Sequence, residues 1–194
     1  MKKEKEFGLP TTEQLVAELQ RVRYKNQHKS FLRTLICVLA VSVAAVVLMA
    51  FLLFPVFGIY GSSMSPTLNE GEIVAALKSS DFKCGDVVVL SFNNKILVKR
   101  VIASSGQWVD IDLDGNVSVD GKLIDEPYLM EKTFGDCDIV LPCQVPESGY
   151  FVMGDNRVFS QDSRNSAIGC IPEDQIVGRV VLRLWPLESF GALR

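Results

Sequence analysis

The chain has 194 residues, 48% hydrophobic and 22% charged, with 14 Gly, 8 Pro and a formal net charge of −3. That balance excludes a disordered chain, a fibrous repeat and, at this length, a multidomain machine. The mean hydropathy of +0.22 is high for a water-soluble protein, and the excess is concentrated, because no charged residue stands from Thr34 to Asn69.

Residues 1–33 read as a cytoplasmic segment with a short amphipathic helix. Thr11 and Gln14 have capping-box spacing, Leu15, Val16, Leu19 and Val22 fall near one face, and Gly8 and Pro10 keep the first residues irregular. Residues 34–57 read as a transmembrane anchor: at about 1.5 Å per residue they reach roughly 36 Å, against a hydrocarbon core of about 30 Å. A cleaved signal peptide carries only about 7–15 apolar residues, so the span is expected to be retained. Arg21, Arg23, Lys25, Lys29 and Arg33 precede it, and residues 58–69 beyond it are uncharged. The basic side stays in the cytoplasm, which predicts a single-pass protein of the cell membrane with residues 58–194 outside the cytoplasm. Before residue 34 there are 8 Lys or Arg against 4 Glu; from there on, 12 basic residues face 19 acidic ones. The acidic larger part argues against nucleic acid as a partner, whereas anionic phospholipid heads suit the basic segment.

From Ile59 onward, short apolar runs separated by turn signals predict antiparallel β structure. Residues 86–92 and 95–102, joined by Asn93-Asn94, form the clearest hairpin. Residues 108–113 alternate Val109, Ile111 and Leu113 with Asp110 and Asp112, Asp114-Gly115 turns them into residues 117–119, and Asp120-Gly121 turns again. Residues 150–153 and 176–185 complete the expected strands. Residues 129–149 read as a surface excursion.

Cys37 lies in the apolar span and reads as a small hydrophobe. Of the other four cysteines, Cys137 and Cys143 are nearest in sequence and the first candidates for a disulfide; four free thiols are the alternative. No zinc spacing occurs, and the single histidine, His28, is on the cytoplasmic side, so neither a metal site nor a histidine triad is expected. Lys99 offers different chemistry. On a strand, Leu97, Lys99 and Val101 share one face and Val98, Arg100 and Ile102 the other. A two-residue turn at Asn93-Asn94 pairs Lys95 with Phe92 and sets Lys99 opposite Val88, where loss of water lowers an ammonium pKa from about 10.4. The alternative is an edge lysine whose amine reaches water.

Three strings occur in order behind the anchor: Ser63-Met64-Ser65-Pro66-Thr67, Lys99-Arg100-Val101-Ile102, and residues 154–164, in which Gly154-Asp155-Asn156-Arg157 leads to Ser160 and Asp162-Ser163-Arg164. Together they resemble the bacterial type I signal peptidases, membrane-anchored Ser–Lys serine proteases. The resemblance implies a mainly β protein, an antiparallel β-sheet catalytic body on one N-terminal transmembrane helix. It implies an endopeptidase, without cofactor or metal, that removes signal peptides from secretory preproteins after small residues and works near the translocation channel. Ser63 would be the nucleophile, Lys99 its general base and the Ser63 backbone N–H the oxyanion donor. Ser160 would orient the lysine, with Asp162, Arg164, Asp155 and Arg100 as scaffold, and Ile59, Met64, Leu68 and Val98 would line the substrate pocket. Phe57, Ile59 and Tyr60 are expected in the lipid headgroup layer.

Two departures from the family pattern stand out. Gly61 occupies a position where some members carry an oxyanion hydroxyl, and Ala103-Ser104-Ser105-Gly106-Gln107 replaces a Gly-x-Pro-Gly-Asp turn, which predicts a looser loop. The alternative from a different class is a non-catalytic pilus-assembly or surface-protein scaffold related to these enzymes.

Overall fold

The computed structural model describes residues 11–193. It comprises a helical unit and a β unit, divided after Phe51. Helix α1 runs unbroken over Thr12–Leu53, so the amphipathic segment and the anchor are one helix rather than two elements. Gln14 Oε1 accepts the Thr11 N–H at 3.2 Å, half of the predicted capping box. The stretch Phe31–Met49 has a mean hydropathy of 2.5, and none of its described residues is buried within the protein. Leu15, Val16, Leu19 and Val22 are exposed as well. The helix stops at Leu53, short of the predicted anchor end at residue 57. Pro55 supplies no N–H and disfavours helical backbone at Phe54, and residues 56–58 are drawn into a sheet.

Among the described residues the β unit holds twelve strands: β1 Val56–Gly58, β2 Ile73–Leu77, β3 Val87–Phe92, β4 Lys95–Ser104, β5 Trp108–Ile111, β6 Val117–Val119, β7 Lys122–Leu123, β8 Cys143–Gln144, β9 Gly149–Met153, β10 Ile171–Pro172, β11 Ile176–Trp185 and β12 Gly191–Ala192. An eight-stranded sheet has the order β1-β2-β11-β3-β4-β9-β10, with β12 beside β11, and a four-stranded sheet has the order β7-β6-β5-β8. One apolar cluster gathers Ile102, Phe151 and Met153 of the large sheet with Val109, Ile111 and Val117 of the small one. A second joins Val74, Val89 and Val180 to Ile59, Met64 and Leu68, which lie in the segment between β1 and β2.

The β3–β4 hairpin has the register expected from its turn. Asn93 and Asn94 take φ of 50° and 60°, the left-handed pair that asparagine tolerates. Phe92 then faces Lys95, and Val88 faces Lys99. Strand β9 pairs with β4 only from Arg100 to Ser104, so among the described residues the second edge of β4 is open from Lys95 to Lys99. The turn after β4 is not loose. Gln107 Oε1 accepts the N–H and hydroxyl of Ser104 at 2.9 and 3.0 Å, and its Nε2 donates to Asp120 at 3.0 Å. An amide thus pins the loop where the family's proline and acid are missing. Residues 129–149 are largely irregular, but Cys143–Gln144 pairs with β5.

Candidate active site

Three pieces of chain meet around Lys99. Strand β4 carries the lysine, β9 leads into residues 154–164, and the turn after β1 carries Ser63. Lys99 is 4% exposed, and its Nζ is 3.0 Å from Ser160 Oγ; the amine does not reach water at a strand edge. Burial lowers its pKa to about 8, with Arg164 adding to the fall and Asp162 and Asp155 opposing it. The amine is therefore mostly charged at pH 7, with about a tenth of it neutral, and the neutral share grows as pH rises toward 8.

Ser63 and Lys99 line one cleft of about 630 Å³, with Tyr60, Leu97, Phe159 and Gln161 among its walls. Ser63 is held through its backbone, its carbonyl accepting the Asn156 N–H at 3.0 Å. Gly154 permits this approach: a Cβ there would run into both Ser160 Oγ and the Ser63 carbonyl. The Ser63 N–H has no acceptor among the described residues. Gly61 has a φ of +79° and carries no hydroxyl toward the serine. A side chain at that position meets open space but a strained backbone.

The charged neighbours form two buried pairs. Arg100, on the opposite face of β4 from Lys99, donates to Asp155 at 2.8 and 2.6 Å and to the Gly85 carbonyl at 2.6 Å. Arg164 donates to Asp162 at 2.9 Å through both Nε and Nη2, and Asp162 also accepts the Gly154 N–H at 3.0 Å. Burial works against ionised Asp162, but Arg164 and the Gly154 N–H outweigh it and hold its pKa below the usual carboxylate value.

Ile59, Met64 and Val98 border a smaller cavity of about 250 Å³ that also touches Ser63. It lies between the outer edge of β1 and the open edge of β4, since Val56, Phe57 and Gly58 line one side and Ile96, Leu97 and Val98 the other. Leu68 does not border it; that side chain is fully buried beneath, packed with Ile59 and Met64.

A family model described as "Signal peptidase, peptidase S26" matches residues 31–185. The chain belongs to this family. It is 40% identical over 178 residues to a signal peptidase IB of Staphylococcus aureus, covering 79% of this chain and 90% of that one. It is 36% identical over 180 residues to a signal peptidase I of Bacillus licheniformis, covering 84% and 94%. The crystal structure of a signal peptidase I from Enterococcus faecalis aligns with a TM-score of 0.45 at 24% identity, over 51% of this chain and 96% of that one. At the family level this makes the chain a signal peptidase I, an endopeptidase that processes signal peptides, and among the described residues one helix is long and apolar enough for a single membrane crossing.

Several parts of this signal peptidase were not visible in its sequence. Glu126, 31 residues before Arg157, forms a buried ion pair with it. The Tyr128 ring lies 3.8 Å from the Arg100 guanidinium carbon, and the Thr67 hydroxyl donates to Asp155. No local pattern links such distant partners; the one available signal was that Arg157, set between buried strands, needs a counter-charge. Ile59 was expected among lipid heads but is core, and Tyr60 beside it is 88% exposed. The candidate Cys137–Cys143 bond is not formed; all five cysteines are free, as in the alternative reading.

Proposed function

We propose that Ser63 and Lys99 are the catalytic dyad of this signal peptidase. The observation that carries the reading is a buried lysine with a depressed pKa, held 3.0 Å from Ser160 and lining the same cleft as Ser63. Neutral Lys99 takes the Ser63 proton as Oγ attacks the scissile carbonyl, then delivers it to the departing amine of the mature chain. Water, deprotonated by the same amine, hydrolyses the acyl-enzyme. Ser160 orients Lys99, and the two buried ion pairs hold the segments that carry both groups. The Ser63 N–H donates to the developing oxyanion, a role in which one donor is worth about 3 kcal/mol.

The cavity between β1 and β4 suits an extended peptide added to their open edges. Alternate side chains of such a strand point into it, and its volume of about 250 Å³ favours small residues at the first and third positions before the cut. The body lies outside the cytoplasm, near the translocation channel, and receives preproteins at the phospholipid surface; the basic residues preceding the helix support that orientation. The test is cleavage of a preprotein in lipid vesicles by the full chain, beside Ser63→Ala and Lys99→Ala. Losses of about 10⁴-fold or more in both are expected. Full activity in either variant ends the dyad assignment, and an inactive wild-type chain favours the non-catalytic scaffold.

A further inference from the structure

We propose that Lys95 makes this peptidase select preproteins with an acidic side chain at the fourth residue before the cut. This selection rests on the strand addition to the open β4 edge proposed above. Small residues at the first and third positions before the cut face the cavity bordered by Ile96 and Val98. Side chains of an extended strand alternate between faces, so those at the second and fourth positions face the other side of β4. That side is the cleft of about 630 Å³, bordered by Lys95, Leu97 and Lys99. Leu97, at the rim, borders both spaces.

Because the small cavity lies beside Ile96, Leu97 and Val98, the residues before the cut run back along β4 from Lys99 toward Lys95. Four residues of strand cover about 13 Å at roughly 3.3 Å each, which is the reach from the scissile bond to the fourth side chain before it. Lys95 is exposed, and among the described residues it has no ion-pair partner. Lys95 and Lys99 are the only charged residues bordering the cleft, where Ser62, Asn93, Gln161 and Asn165 add neutral hydrogen-bonding groups. The absence of a carboxylate from this border stands out in a body where 12 basic residues face 19 acidic ones. An unpaired cation at the fourth position attracts Asp or Glu and repels Lys or Arg, and added salt weakens both effects.

The full chain in detergent tests this on signal-peptide substrates that differ only at the fourth residue before the cut, which is Asp, Asn or Lys. At low salt, kcat/KM should favour Asp over Lys by about fivefold, the attraction and the repulsion each contributing. Salt at about 0.5 M should shrink that ratio. Lys95→Gln should bring it to about one, and Lys95→Glu should reverse it. Each ratio is taken within one variant, so a smaller folded fraction does not alter it. A ratio near one in the wild-type chain, or an Asp preference that survives Lys95→Gln, overturns the proposal and leaves the dyad standing. Binding of the same peptides to Ser63→Ala separates the two readings: an Asp preference there, with no cleavage by the wild-type chain, would overturn the dyad and support the role of Lys95.

Discussion

At the scale of single residues, the proposed chemistry depends on where Lys99 sits. Burial lowers its pKa to about 8, so the amine is mostly charged below that value and mostly neutral above it. We expect kcat/KM to rise with pH along a single-proton limb centred near 8, measured on a signal-peptide substrate with Ser63 and Lys99 intact. A limb centred near 10.5, the ordinary lysine value, would mean that the amine is hydrated in the working enzyme. The same shift makes Lys99 a cost to folding. The unfolded chain holds this proton up to the ordinary lysine pKa and the folded chain only up to about 8. Stability therefore gains from this group as pH rises between those two values, and the full cost is present below them.

At the scale of elements, residues 154–164 bear a large share of the site and almost no regular structure. They are held by side chains: Asp162 on the Gly154 N–H, Arg164 on the Phe134 and Arg157 carbonyls, and Arg157 on Glu126. The last pair has side-chain exposures of 1% and 0%. Glu126→Ala would strand a guanidinium without water or counter-charge, and we expect a loss of about 3–5 kcal/mol in denaturant unfolding. Replacing Glu126 and Arg157 together with apolar residues should cost less. An unfolding midpoint unchanged in Glu126→Ala would show that the pair is not what holds this segment. The β3–β4 hairpin is the contrasting case. Its register follows from two asparagines in the turn, and that local choice alone determines which face carries Lys99.

At the scale of the whole molecule, one end of the large sheet exposes an apolar rim. Ile73 of β2 is paired with Gly58 of β1 on one side and Trp185 of β11 on the other. Tyr60, Leu187 and Phe190 are exposed nearby in sequence. Aromatic side chains with a polar tip suit the boundary between lipid and water. We expect Trp185→Ser combined with Phe190→Ser to slow cleavage of a vesicle-bound preprotein by about tenfold, equivalent to about 1.4 kcal/mol of lost surface binding. Cleavage of a short soluble peptide should be unchanged. Equal slowing on both substrates would assign these residues to folding rather than to the lipid surface.

The sequence by itself determined the apolar helix, the β3–β4 hairpin with its register, and the strings around Ser63, Lys99 and residues 154–164. Each is written in a few adjacent residues, through hydrophobic run length, turn chemistry or motif. Tertiary structure alone decided that Glu126 neutralises Arg157 and that Leu68 lies in the core, outside the lining of the small cavity. Those outcomes depend on strands distant in sequence becoming neighbours, and a contact between remote residues leaves no periodic trace in either one.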